Sequence, residues 1–470
     1  AHTTIPHANN DRRMGTAYDP GLMGAVIWKF SPRSSMSISL TNEQAAILKR
    51  IETTNDHIFV TGRAGTGKST LLQEFVRHTK KPLVVAAPTG VAALNVGGQT
   101  IHSLFRLPIG LITEQTKFYP PSEEARTLLK RVQTIVIDEI SMVRADLLDG
   151  LDRRMRMVRG NRHEPFGGAQ VIMFGDPYQL SPVISDPAER NYIADHYASE
   201  WFFDSKVWAE ATPSVVELSD VLRQDEPEFR DILDRMRNGT MNADDAHVIN
   251  TVGARRPVPE DTITLAITNN IVTNLNGSAL TGLAGSTKTA NARVEGDFGK
   301  QTPADENLEL KPGARVMFLR NDSDGRWVNG TLGTVMRIDD AVHVATDDAP
   351  HATHKVEPVV WEKIQYTYDP EEKKVEQDVV ATFEQFPVRL AWAVTIHKSQ
   401  GKTLESALID LGNGAFADGQ TYVAFSRIKT LDGVYLSRPL RPSDVKVDRR
   451  VVAFMRNASS YAQPDQLTFN

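Results

Sequence analysis

Gly62-Arg63-Ala64-Gly65-Thr66-Gly67-Lys68-Ser69 combines three glycines with an amine and a hydroxyl at fixed spacing. Glycine lets backbone N–H groups wrap an anion's oxygens. In such a loop Lys68 reaches the outer phosphates of a nucleotide, and the Ser69 hydroxyl ligates Mg²⁺. Gly62, Ala64, Gly65, Thr66, Gly67, Lys68 and Ser69 therefore form a candidate phosphate cradle. Further along, the apolar run Ile135-Val136-Ile137 ends in Asp138-Glu139. Asp138 suits Mg²⁺, through water or directly, and Glu139 is placed to take a proton from an attacking water. A carboxylate base beside the metal residue favours hydrolysis over phosphoryl transfer to a small molecule, so the pair reads as that of an ATPase.

Such residues need strands that end at the site and helices that begin there. Thr41 to about Thr53 reads as an amphipathic helix with Ile47, Leu48 and Ile51 on one face. His57–Thr61 reads as a strand leading into the glycine loop, with a helix after it to about His78. Leu83–Ala87, Gln133–Ile137 and Gln170–Phe174 read as further buried strands. Strands alternating with helices predict an α/β domain with a mainly parallel sheet. The pattern returns with strands at Thr262–Thr268, Ala391–Thr395, Leu404–Asp410 and Gly433–Leu436, and a helix over Gly419–Lys429. Between them, residues 333–387 alternate apolar and polar residues between turn signals, which predicts a small inserted β-barrel.

The chain has 470 residues, Lys+Arg 53 and Asp+Glu 59, for a net charge of −6. That balance excludes a histone-like polybasic binder but allows a local basic groove. No cysteine is present, which excludes disulfides, thiol nucleophiles and cysteine-based metal sites. No apolar run approaches the roughly 18 residues of a membrane span. Residues 1–38 are polar and read as a flexible leader. The apolar stretch Leu22–Trp28 is short for a signal peptide and follows Asp19-Pro20. Met36 is expected to be the natural start.

Taken together, the motifs resemble the Pif-type DNA helicases of superfamily I, from about Leu40 to about Ser437. Gly62–Thr70 is similar to the family's first motif, which adds Thr70 to the nucleotide contacts. Ala87-Pro88-Thr89-Gly90 and Thr100-Ile101-His102-Ser103 resemble the next two. Asp138-Glu139-Ile140-Ser141-Met142, the stretch Pro165–Gly168 and Gly175-Asp176-Pro177-Tyr178-Gln179-Leu180 follow in order. Pro177 stands where the family often has an aromatic, and Ser181-Pro182 where Pro-Pro is common. Leu222-Arg223-Gln224, Thr268-Asn269 with Asn276, Val328–Gly333, Trp392–Gly401 and Tyr422–Arg427 complete the resemblance.

The resemblance implies two RecA-like domains with ATP between them. The first spans residues 39–212, with an insertion at about 107–130. The second spans 213–332 and 388–470, interrupted by an SH3-like barrel at 333–387. It implies that Gln44 recognises adenine, although Thr41-x-x-Gln44 is also a capping box. It implies that Gln179 senses the γ-phosphate, that Arg223 and Arg427 act as arginine fingers, and that Gln400 and Gly401 line the cleft. It places Thr89, Gly90, His102, Ser103, Thr395, His397 and Ser399 against single-stranded DNA. For His102 and His397 the bland alternative is a structural histidine. The run Arg153-Arg154-Met155-Arg156 with Arg159 and Arg162 is either a phosphate patch or a helix face paired with Asp146, Asp149 and Asp152. Phe118-Tyr119 is either a strand-separating wedge or, preferred here, an aromatic anchor for its loop.

The resulting expectation is an intracellular, monomeric, ATP- and Mg²⁺-dependent 5′→3′ helicase. It would act on single-stranded and forked duplex DNA in repair, recombination or replication. A RecD-like 5′→3′ helicase, a DNA-stimulated ATPase that remodels without unwinding, and a plain nucleotide hydrolase are the alternatives. Direction of movement comes from the resemblance alone.

Overall fold

The computed structural model describes residues 3–4, 40–182, 184, 186–219, 224, 226–254, 257–260, 262–299, 302–369 and 374–461. Met36 and Arg223 lie outside the described residues. So does residues 1–38 apart from Thr3–Thr4, which pairs in parallel with Lys288–Thr289.

Two parallel sheets carry the molecule. The first has six strands in the order Gln99–Thr100, Leu83–Ala87, Thr134–Ile137, Gln170–Phe174, Ile58–Gly62, Ser214–Leu218. Every pairing is parallel. Its central strands are buried on both faces, as a helix-covered parallel sheet requires, and hence read as continuous apolar runs. The second sheet has four parallel strands, Ala393–Thr395, Thr264–Ala266, Ala407–Asp410 and Val434–Leu436.

Ser214–Leu218 pairs with Ile58–Gly62 along its whole length, so the first sheet extends beyond residue 212. It is an edge strand whose residues are half-buried up to Leu218, and so it lacks the apolar run that marks the others. The C-terminal helix Arg449–Tyr461 also departs from the expected division. Its Phe454 stacks on Phe203 with ring centroids 4.1 Å apart and packs against Phe59, Phe202 and Trp208. Trp201 Nε1 donates to Asp448, just ahead of that helix, at 2.6 Å. The last helix of the second domain is therefore anchored on the first.

Between Gly282 and Ala391 the strands turn antiparallel. A five-stranded sheet joins Arg315–Phe318, Leu332–Ile338, Val342–Thr346, Ala349–Val356 and Val388–Leu390. Its core of Val316, Phe318, Val335, Val342, Val344 and Val356 is separate from that of the parallel sheets. A long hairpin, Val359–Asp369 with Lys374–Gln385, pairs with Arg293–Glu295. The β region thus reaches well N-terminal of residue 333. Its hairpin leans on the first domain, where Gln99 Nε2 donates to the Ile364 carbonyl.

Candidate active site

The loop from Gly62 to Gly67 joins the Ile58–Gly62 strand, next to the edge of the first sheet, to the Lys68–His78 helix. Gly62 is required twice over. Its φ is +151°, and a Cβ there would lie 2.8 Å from Thr66 Oγ1 and 2.9 Å from the Leu218 carbonyl. Lys68 Nζ donates to the Gly62 and Arg63 carbonyls at 2.7 and 3.0 Å, folded back over the cradle. Burial lowers its pKa, while Asp176 and Glu139 pull it the other way. Ser69 and Thr70 open the helix, Ser69 exposed and Thr70 half-buried. Gln44 forms the capping box with Thr41 and turns its amide to the Thr66 carbonyl at 3.3 Å. It therefore braces the phosphate loop from behind.

Asp138 and Glu139 follow the Thr134–Ile137 strand. Glu139 sits at φ 50°, ψ 43°, a left-handed conformation uncommon outside glycine. Burial raises both carboxyls above their ordinary range, and the charge of Asp138 raises Glu139 further. Lys68 and Arg427 work in the opposite direction on Glu139. A carboxylate raised in this way is closer to the operating pH of a general base.

The second domain reaches this site directly. Gln400 Nε2 donates to Glu139 Oε2 at 3.0 Å and to Gln179 Oε1 at 3.2 Å. Gln179 in turn donates to Asp176 Oδ2 at 3.2 Å. The Ala64 N–H donates to the Tyr422 hydroxyl at 3.1 Å, and Arg63 pairs with Asp234 at 2.9 Å. Arg427 is fully buried, with Nε donating to the Val423 carbonyl, and its charge acts on both Lys68 and Glu139. Gly401 is exposed at φ +77° beside Gln400.

The approach depends on Gly419, at φ +72°. A Cβ there would lie 2.1 Å from the Gln179 carbonyl oxygen and 2.6 Å from that of Tyr178. A cavity of about 570 Å³ opens beside the loop, lined by Arg63, Tyr178, Leu218, Arg237, Met455 and Arg456 among others. The Arg237 guanidinium stacks 4.2 Å from the Tyr178 ring centroid and pairs with Asp176 and Glu217.

Sequence reading placed Lys68, Asp138, Glu139, Gln179 and Arg427 in one site, and the structure brings them together. It gave no role to Tyr422, Arg237 or Arg63. Tyr422 stands five residues before Arg427, but no spacing rule marks a tyrosine as a loop contact.

For the metal, the donors available are the Ser69 hydroxyl and the Asp138 carboxylate. Among the described residues no group of three or more metal-binding side chains exists. Two oxygen donors fit Mg²⁺, which is usually shared with phosphates and water.

The residues expected to face a DNA strand lie at or just past the carboxyl ends of parallel strands, where ligands bind in open α/β sheets. Thr89 caps the Gly90–Asn95 helix by accepting from Ala92 N–H, and Thr100 does the same for Ser103. His102 Nδ1 lies 3.0 Å from the Pro108 carbonyl, and burial lowers its pKa. His397 is half-buried, and its pKa is likewise lowered by burial. Thr395 accepts from Lys398 N–H at 3.2 Å. Ser399 is fully buried and its hydroxyl donates to the Ile396 carbonyl at 2.7 Å. Ser399, expected at the DNA strand, is buried in the structure and its hydroxyl proton holds the turn.

The arginine run serves the fold. Arg153 donates to the carbonyls of Thr113, Glu114 and Thr116. Arg154 donates to those of Phe105, Arg106 and Tyr119, and Arg159 to Leu129, Lys130, Val132 and Gly167. Only Arg156 with Asp152 forms the expected pair within that helix. Phe118 lies under Arg153 and Arg154, whereas Tyr119 is 85% exposed.

The family model described as PIF1-like helicase matches residues 39–247. The ATP-dependent DNA helicase Pif1 of Bdellovibrio bacteriovorus is 31% identical over 89% of this chain and 92% of its own. The PIF1 helicase of Emericella nidulans is also 31% identical, and this chain spans 62% of its length. Among solved structures, Bacteroides sp Pif1 in complex with ADP-AlF4 superposes with a TM-score of 0.84 at 35% identity. It covers 90% of this chain and 98% of the other. Bacteroides Pif1 bound to ssDNA, at 36% identity, gives a TM-score of 0.66.

Proposed function

The chain belongs to the PIF1-like helicase family, and we propose that it is an ATP-dependent DNA helicase moving 5′→3′ on single-stranded DNA. The observation that carries this reading is the cross-domain bond from Gln400 to Glu139 and Gln179. It ties the base that would activate water to a loop whose preceding strand ends in the residues proposed to grip DNA. A nucleotide cycle in the cleft is then felt in the groove.

In this reading ATP occupies the Gly62–Thr70 cradle, with Lys68 on the outer phosphates. Ser69 and Asp138 would hold Mg²⁺, which when bound would offset phosphate charge. Glu139 takes a proton from the attacking water. Arg427, and Arg223 from outside the described residues, meet the charge that spreads over the transferred phosphoryl group. Gln44 contacts adenine while bracing Thr66. Gln179 reports the state of the phosphates.

Thr89, Gly90, His102, Ser103, Thr395 and His397 contact the strand, with Ser399 shaping the turn beneath it. ATP binding closes the cleft and hydrolysis opens it, so the two grips alternate. The antiparallel β region supplies the SH3-like barrel. The protein acts as a monomer, inside the cell, on single-stranded and forked duplex DNA.

The test is ATPase rate with and without single-stranded DNA at fixed low salt, since phosphate contacts weaken steeply with salt. Unwinding of 5′- and 3′-tailed duplexes follows. Strong stimulation with unwinding from the 5′ tail alone is expected. A brisk rate indifferent to DNA would refute the motor.

A further inference from the structure

Tyr422 is 3% exposed, on the Gln420–Phe425 helix of the second domain. Its oxygen accepts the Ala64 N–H at 3.1 Å, inside the phosphate loop. That bond uses a lone pair. The phenolic proton has no acceptor among the described residues. A buried hydroxyl without an acceptor is costly, so it marks a place where a ligand completes the bonding.

The surroundings indicate which ligand. The loop binds anions through its backbone N–H groups. The Arg237 and Arg427 guanidiniums act on the Tyr422 hydroxyl, as does the Asp176 carboxylate. Burial and Asp176 keep the phenol protonated well past neutrality, so it remains a donor. Gly419, one residue ahead of the helix, lies against the Tyr178–Gln179 backbone and fixes how closely Tyr422 approaches.

We propose that Tyr422 is a further nucleotide-contacting residue, which donates its phenolic proton to the terminal phosphate of ATP while accepting the Ala64 N–H. The proposal rests on reading the Gly62–Thr70 loop as an ATP site. It makes the second domain sense the terminal phosphate through two donors, Tyr422 in the Gln420–Phe425 helix and Arg427 in the turn just past its end. ADP lacks the acceptor, so the contact distinguishes substrate from product.

Tyr422→Phe keeps the ring and removes the proton donor. The assay is titration with a non-hydrolysable ATP analogue and with ADP, plus single-turnover hydrolysis on saturating single-stranded DNA. Melting temperature and DNA binding confirm the fold. A hydrogen bond to a charged group corresponds to roughly 10- to 100-fold. That loss is expected in analogue affinity, in the hydrolysis rate constant, or split between them, with ADP affinity within about threefold of the parent.

An equal loss for ADP and the analogue overturns the proposal and leaves Tyr422 as a brace for Ala64. No loss in any of the three measurements also overturns it. Lys68→Ala is run in parallel. Normal hydrolysis in that variant would overturn the ATP-site reading itself, whatever Tyr422→Phe does.

Discussion

Removing the Gln400 amide should separate the two domains' chemistry without touching the phosphate loop. Its Nε2 donates to Glu139 Oε2 at 3.0 Å and to Gln179 Oε1 at 3.2 Å. The first bond is charge-assisted whenever Glu139 is ionised, and such bonds contribute about 1.5–3 kcal/mol. If the orientation it imposes persists in the transition state, Gln400→Ala should lower kcat by roughly 10- to 150-fold.

The pH profile carries a second signature. Donation to a carboxylate favours the ionised form, so losing it leaves burial and Asp138 less opposed. The acid limb of kcat, where Glu139 must lose its proton to act, should move to higher pH. Gln400→Glu adds a like charge and should move it further. Steady-state ATPase on saturating single-stranded DNA, from about pH 5.5 to 9, measures both effects. A kcat within about threefold of the parent and an unmoved acid limb would refute the argument.

Other variants probe the remaining parts. Lys68→Ala should abolish ATP hydrolysis while leaving single-strand binding largely intact, measured by ATPase and anisotropy. Glu139→Gln should bind ATP yet hydrolyse it ~10²–10⁴-fold more slowly, read in single turnover. Gly419→Ala should lower the melting temperature and the DNA-stimulated ATPase together, because its Cβ meets the Tyr178 and Gln179 carbonyl oxygens.

Burial beside Arg389 lowers the Lys402 amine to about 7, with its Nζ on Asn329 Oδ1. Below that pH the folded state carries the cost of a buried charge. Above it the native amine is neutral while the unfolded chain still binds a proton, so the destabilisation from this group shrinks as pH rises. Lys402→Met should therefore raise the melting temperature near pH 6 and lose that advantage by about pH 10. Equal shifts at both pH values would refute the assignment.

The pieces of the candidate site were legible because phosphate chemistry forces glycines, a lysine and strand-end carboxylates into short contiguous runs. Both parallel sheets were legible for a related reason: strands buried on two faces must be continuously apolar. What crosses between elements was not. Gln44 could be read as an adenine contact or a helix cap, and only the fold shows its amide on the Thr66 carbonyl. The run from Arg153 to Arg159 has a DNA binder's composition, yet Arg153, Arg154 and Arg159 turn to backbone carbonyls on neighbouring segments. Charge count cannot reveal which way a guanidinium turns. Ser214–Leu218 was missed because an edge strand is half-exposed, and the reach of the β region because Lys288–Asn291 and Arg293–Glu295 are short and polar.

The aromatic stack between Phe454 and Phe203 also limits how the molecule can move. The chain leaves the first sheet at Leu218, builds the second domain, and returns to the first through its last described helix. A pair of lobes joined by one strand of chain can tumble; a pair pinned at both ends of a lobe has an axis. In the proposed cycle the cleft would open with the Leu218 link and the Phe454 stack both holding the second domain to the first. Load applied along a DNA strand would be borne by that aromatic pin as well as by the covalent link. A chain cut before Arg449 would keep every motif of the cleft and lose the aromatic pin that ties the end of the second domain to the first.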